Sequence, residues 1–186
     1  MFLNAPNIPE EYKTLNPYKY SMTLEHDALS KFASQEKPFS TLFVTVPLYG
    51  KWYTYDNQGE YTFDTLCGVD DPPSLLGSVA EVCKNPECNT TYVEAPHAGV
   101  LSACEKSQTV FTYDNSKSYR HKLCTLKRNL TSLRYGILAV GINMDDTTNR
   151  CGGGSYARLR TLRFLVDYFK SSFNSPDAYD QCQRGP

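Results

Sequence analysis

The most distinctive pattern in the chain is Tyr135 to Asp146, Y-G-I-L-A-V-G-I-N-M-D-D, where an unbroken apolar run closes on two adjacent carboxylates. Alternation would mark a strand with one wet face. Continuous hydrophobicity instead predicts a strand over Tyr135–Ile142 buried on both faces, as in a parallel sheet. Upstream, from Asn115, the residues Tyr119, Leu123, Leu126, Leu130 and Leu133 recur on one helical face, with Lys122, Lys127 and Arg128 mostly opposite. Downstream, Gly152 to Gly154 break the chain and Ser155 is a candidate cap. Leu159, Leu162, Val166, Phe169 and Phe173 then predict a last amphipathic helix. Nearer the start, Thr23 caps a helical segment to Ala33 whose stripe is Leu24, Ala28, Leu29 and Phe32. Pro38 helps to end it, and T-L-F-V-T-V at Thr41 to Val46 predicts a buried strand. Between the two halves, Trp52 to Val110 is rich in Tyr, Cys, Gly and Pro with no sustained period, and V-D-D-P-P at Val69 to Pro73 is a turn cluster. The order is α, β, insertion, α, β, α, which makes the fold class α/β with a cysteine-rich insertion.

Composition narrows the setting. With 186 residues there is chain enough for one domain with a core. A formal net charge of -1 provides no basic face for phosphates, so neither nucleic acid nor an anionic membrane is an expected partner. No apolar run is long enough to span a bilayer. The opening M-F-L-N-A-P-N-I-P lacks the charged and apolar regions of a signal peptide, so Met1 reads as an internal start. Seven cysteines (Cys67, Cys83, Cys88, Cys104, Cys124, Cys151 and Cys182) and two glycosylation sequons, at Asn89 and Asn129, nevertheless point to an oxidising, secreted setting. Seven is odd, so one thiol is left free or pairs with another chain. Zinc is not expected, because Cys83 and Cys88 lack a second close pair of ligands and His97 and His121 sit alone.

Three stretches carry a resemblance: P-L-Y-G-K at Pro47 to Lys51, the Tyr135 to Asp146 run, and C-G-G-G-S-Y-A-R-L-R-T-L at Cys151 to Leu162. With F-T-Y-D-N at Phe111 to Asn115, they resemble the closing part of a glycoside hydrolase family 18 barrel, the fold of chitinases and chitinase-like lectins. The resemblance implies a partial TIM-type (β/α) barrel, since a complete one takes roughly 250 residues. It divides the chain into 1–51 (end of strand six, helix six, strand seven) and 52–114 (a small cysteine-rich α+β insertion domain). Residues 115–175 would hold helix seven, strand eight and helix eight, and 176–186 a tail.

The same resemblance sets expectations for chemistry. The family's acid lies in a D-x-x-D-x-D-x-E motif, which is absent here, so no catalytic residue is expected. Asn4 to Asn7, N-A-P-N, stands where active members carry Met-x-Tyr-Asp, and Val140 where they carry a tryptophan flooring a sugar subsite. Tyr49, Lys51 and Trp52 are the candidate carbohydrate contacts. Lys51 replaces an arginine and so provides a point charge without the planar fork. Trp52 could stack on a pyranose, but large aromatics are usually highly buried, which favours a core or insertion-domain anchor. A disulfide is implied between Cys104, in L-S-A-C, and Cys151, in N-R-C-G-G; it would close a long loop worth roughly 4 kcal/mol in the chain-entropy model. Local pairing of Cys104 with Cys67, Cys83 or Cys88 is the alternative.

From the residues alone, Asp145 and Asp146 read as a hydrogen-bonding turn rather than a catalytic pair. R-L-R-T-L-R at Arg158 to Arg163 reads as a solvated outer face. His26, His97 and His121 have no recognisable Ser or Cys partner.

The expected function is a secreted chitinase-like protein, a non-catalytic glycan-binding or interaction module. The alternatives are the truncated end of an active chitin-degrading hydrolase, or a secreted protein-binding module without a sugar ligand. Expected partners are N-acetylglucosamine oligosaccharides or a glycoprotein, with self-association if the chain is a fragment; no cofactor and no metal are expected.

Overall fold

The computed structural model describes residues 29–31, 42–54, 76–94, 99–131 and 135–185. Its β structure is of two kinds. Strand β1 (Leu42–Pro47) pairs in parallel with β7 (Tyr135–Val140), from Leu42 opposite Tyr135 to Pro47 opposite Val140. The intervening chain forms an antiparallel sheet of β2 (Gly50–Thr54), β3 (Leu76–Gly77), β4 (Cys88–Val93), β5 (Gly99–Cys104) and β6 (Thr109–Tyr113), in the order β3-β2-β6-β5-β4. Among the described residues the helices are α1 (Ser116–Asn129), α2 (Ala157–Ser171) and α3 (Ala178–Arg184), with a further helical stretch at Leu29–Lys31.

The parallel pair has two unlike faces. Val44 and Val46, opposite Ile137 and Ala139, pack into a core with Leu48, Tyr119, Leu123, Leu126, Leu162 and Leu165. On the other face Phe43 and Leu138 are each 45% exposed. Burial on both faces, expected from the continuous apolar run, is therefore corrected among the described residues. The run also stops early: Gly141 turns the chain at φ +71°, and Ile142 to Met144 form a single 3-10 turn instead of more strand.

Helix α1 forms where its pattern predicts. Asn115 Oδ1 accepts from the Ser118 N–H at 2.9 Å while Ser118 Oγ accepts from the Asn115 N–H at 2.8 Å, a reciprocal cap. Helix α2 starts differently from expectation. Ser155 is not its cap; Tyr156 occupies that position at φ 57° with no capping side chain. The Asp145 carboxylate takes the role instead, accepting from the Leu159 N–H at 3.2 Å and satisfying one of the first turn's orphan donors. Of the segment Thr23 to Ala33, only Leu29–Lys31 is described, as helix, with Leu29 in the core.

Residues 176–186, expected as a tail, contain a folded helix. Helix α3 is fixed to α1 by the fully buried Cys124–Cys182 bond, with the Arg128 guanidinium 3.9 Å over the Tyr179 ring and Arg120 Nε donating to the Gln183 carbonyl.

The antiparallel sheet packs on both sides. Leu101, Ala103 and Val110 with Tyr53 and Val93 cover one face; Phe111, Val79 and Val82 with Trp52, Cys88 and Tyr113 cover the other. Gly50 is required at its edge: a Cβ there would meet the tip of the Phe111 ring at 2.2 Å and the Thr112 carbonyl oxygen at 2.7 Å.

The expected Cys104–Cys151 disulfide is not formed. Cys104 bonds Cys88, its direct register partner across β4 and β5, which brings the two Cα atoms within 4.1 Å. Cys151 bonds Cys83, which follows the short 3-10 helix Val79–Glu81. A tie from the sheet to the loop after β7 therefore exists, but through Cys83. Cys67 lies outside the described residues. The loops closed by Cys83–Cys151 and Cys124–Cys182 span 68 and 58 residues, each worth about 4 kcal/mol in the chain-entropy model.

Peptide mapping under non-reducing conditions is expected to recover Cys83 with Cys151, Cys88 with Cys104 and Cys124 with Cys182; a linked Cys104–Cys151 peptide would contradict this register. Gly50→Ala is expected to lower unfolding stability by about 1–3 kcal/mol in urea, since a backbone carbonyl and a packed ring must both move.

Candidate functional site

The chain leaves the parallel pair at Leu48–Tyr49 to enter the antiparallel sheet and returns at Asp114–Asn115. Both crossings lie at the C-terminal ends of β1 and β7, and one side chain holds them. Arg158, in the first turn of α2 and 4% exposed, donates from Nη2 to the Leu48 carbonyl at 2.6 Å and from Nη1 to the Asp114 carbonyl at 3.2 Å. Its Nε donates to Asp145 Oδ1 at 2.8 Å, which orients the guanidinium plane. Asp145, 2% exposed, also accepts from the Asp146 N–H at 2.9 Å. Beside this pair, Lys122 Nζ donates to Asp114 Oδ1 at 2.7 Å, and both residues are buried. The Tyr119 hydroxyl donates to the Pro47 carbonyl, and burial, with smaller contributions from neighbouring charges, pushes its pKa well above the ordinary phenol value.

Asp146 caps its own loop. Its carboxylate accepts from the Arg150 N–H at 2.9 Å and the Cys151 N–H at 2.7 Å. Burial pushes its pKa up, but bonds from the amides of Cys151, Arg150 and Thr148 and the Thr148 hydroxyl outweigh it and hold the carboxyl below the ordinary range. A general acid needs the opposite, a carboxyl kept protonated near working pH. At these strand ends Asp114, Asp145 and Asp146 all serve as acceptors for groups within the fold, which agrees with the structural reading of the Asp145–Asp146 turn.

The three candidate sugar contacts are not brought together on one face. Tyr49 lies against Gly141, where an added Cβ would come within 2.9 Å of its ring. Strand β2 then sends Lys51, opposite Thr112, to one face of the sheet and Trp52, opposite Phe111, to the other. Lys51 is half-buried, and burial lowers its pKa. The Trp52 ring is 4.6 Å from Phe111, and its Nε1 donates to Glu81 Oε2 at 3.2 Å, contacts of a sheet anchor. Asn89, on edge strand β4, and Asn129, the last residue of α1, are both exposed. His121 is half-buried on α1, where burial lowers its pKa. His26, His97 and Asn4 to Asn7 lie outside the described residues.

Reading Arg158 to Arg163 as a solvated face is corrected at its first residue, because Arg160 and Arg163 are exposed while Arg158 is buried. The signal was present: Arg158, Leu162 and Leu165 share the i, i+4, i+7 stripe that α2 turns inward. Lys122 likewise sits on the buried side of α1 because Asp114 receives it. Among the described residues, no group of three or more His, Cys, Asp or Glu side chains is arranged to hold a metal, and no helix is long and apolar enough to cross a membrane.

No family model matches the sequence, and no curated protein matches it. Solved structures do. Human YKL-39, described as a pseudo-chitinase with retained chitooligosaccharide binding, matches at TM-score 0.56 and 22% identity, over 78% of this chain and 39% of its own. The Group IV chitinase of Ostrinia furnacalis matches at TM-score 0.61 and 16% identity, over 76% of this chain and 39% of its own. The class V chitinase of Nicotiana tobaccum matches at TM-score 0.52 and 13% identity, over 83% and 46%. At these identities the likeness is one of fold: the chain has part of the fold of family 18 chitinases and chitinase-like proteins. It spans 39% of the length of the first of these, and the described strands do not close a barrel.

Arg158→Met is expected to cost about 3–5 kcal/mol in chemical unfolding, because it leaves Asp145 buried without its cation; a loss below about 1 kcal/mol would class the pair with surface ion pairs. Asp146 has a depressed folded pKa, so its contribution is complete above the ordinary carboxylate range and is lost as pH falls through the folded value. The difference in melting temperature between the parent and Asp146→Asn is therefore expected to be large at neutral pH and to shrink in acid. An unchanged gap at low pH would contradict the assignment.

Proposed function

We propose that the chain is a secreted chitinase-like module that binds N-acetylglucosamine oligosaccharides, free or on a glycoprotein, without hydrolysing them. The observation that carries this reading is the commitment of the strand-end carboxylates to partners within the fold, Asp145 to Arg158, Asp114 to Lys122 and Asp146 to backbone amides. The fold supports the ligand class, because YKL-39 is a pseudo-chitinase that retains chitooligosaccharide binding. Tyr49 and Lys51 are the contacts we assign, with Trp52 serving mainly to anchor the sheet. Three disulfides fit an oxidising compartment, and the exposed Asn89 and Asn129 are the proposed glycan acceptors.

Among the described residues no further strand pairs with β1 or β7, and this, with the exposed Phe43 and Leu138, favours a second reading, in which this chain is the closing part of a longer hydrolase whose acid lies upstream. A transcript that encodes D-x-x-D-x-D-x-E ahead of Met1 would establish it.

Calorimetry with chitotetraose tests the first reading. Saturable heat is expected with no shorter sugar on chromatography. Tyr49→Ala should weaken binding about tenfold with little change in melting temperature, the loss of one stacked ring, whereas Trp52→Ala should chiefly lower stability. Release of shorter sugars that is abolished by a substitution in this chain would overturn the non-catalytic reading, and no heat with any chitooligosaccharide would overturn the ligand class.

A further inference from the structure

Among the described residues, the antiparallel sheet is joined to the helical part at the two chain crossings, by one disulfide, and by the exposed Lys117 of α1, which pairs with Glu94 and lies 4.0 Å over the Tyr92 ring at the far edge of the sheet. The crossings are internal, and the buried Arg158 grips both carbonyls. The disulfide is peripheral: Cys83–Cys151 ties the turn after Val79–Glu81 to the loop after β7. The three disulfides differ sharply in access. Cys124 and Cys182 are both fully buried, Cys104 is buried beside a half-buried Cys88, and Cys151 is exposed beside a half-buried Cys83. Exchange begins with a thiolate reaching a sulfur, so access orders the three bonds.

We propose that Cys83–Cys151 is a thiol-sensitive latch that sets how far the antiparallel sheet can move on its two crossings. A low-molecular-weight thiolate such as glutathione attacks the Cys151 sulfur and forms a mixed disulfide, and Cys83 leaves as a thiolate that takes up a proton. A second thiolate then attacks the glutathione sulfur; Cys151 departs as a thiolate and is protonated, and the two small thiols end as their disulfide. Two electrons pass to the protein cystine. Opening the latch does not dissolve the loop, because the Cys151 and Arg150 amides still donate to the Asp146 carboxylate. Cys151 therefore stays near its partner, and glutathione disulfide, the product of opening, can re-form the bond by the same two exchanges in reverse, taking back the two electrons as two glutathione thiols. The Arg158–Asp145 pair and the Cys124–Cys182 bond keep the helical part intact meanwhile. This inference does not depend on a sugar ligand.

Timed exposure of the native protein to glutathione, followed by alkylation and peptide mapping, reads the order directly. Cys83 and Cys151 are expected to be labelled about tenfold or more ahead of the other pairs. Labelling of Cys88 with Cys104 or of Cys124 with Cys182 first, or of all three pairs together, would overturn the proposal. Hydrogen exchange on Cys83→Ala/Cys151→Ala supplies the second arm. Faster exchange confined to residues 76–83 and the sheet edge, with α1 and α2 still protected, is expected. Unchanged exchange there, or loss of protection throughout the chain, would equally overturn it.

Discussion

One buried guanidinium connects the two kinds of β structure in this chain. Arg158 reaches the carbonyl where the chain leaves the parallel pair and the carbonyl where it returns, while Asp145 fixes its orientation. These carbonyls end their strands and have lost the ladder that would satisfy them, so something else must donate. A lysine offers one point of attachment, whereas the planar fork of arginine reaches several acceptors at once. The carboxylate that orients this fork also caps α2. Strand β7, helix α2 and both crossings are thus set by one ion pair.

That arrangement bears directly on chemistry. The C-terminal ends of parallel strands are where barrel enzymes gather reactive groups. Here the charged groups at those ends are turned inward, on one another and on the backbone, and Asp146 is stabilised in the form that accepts rather than donates. Such a site holds the shape of the strand ends, which is what the proposed non-catalytic reading requires of it. In the proposed reading, recognition falls to groups outside it, Tyr49 beside Gly141 and Lys51 on one face of β2.

Much of the fold was legible because periodicity and capping act locally. The stripe Tyr119, Leu123 and Leu126 locates α1, and the apolar run from Tyr135 locates β7. The errors arose where distant partners decide. Arg158 and Lys122 look solvated until Asp145 and Asp114 are placed beside them, and Ser155 looks like a cap until a tertiary carboxylate replaces it. Disulfide connectivity is the sharpest case. Cys104 faces Cys88 only because β4 and β5 adopt one register, and nothing in the spacing between Cys83 and Cys151 announces their meeting. The three sugar-contact candidates follow the same rule: a period of two in β2 separates Lys51 from Trp52, although they are neighbours in sequence.

A double-mutant cycle on Asp145→Asn and Arg158→Met tests the central interaction most directly. If the pair organises both crossings, the two losses in unfolding free energy will overlap, with a coupling of about 2 kcal/mol or more, since the second substitution removes little that the first has left. Losses that add to within about 0.5 kcal/mol would mean that the two residues act independently, and the account of a single ion pair holding strand, helix and crossings together would be wrong.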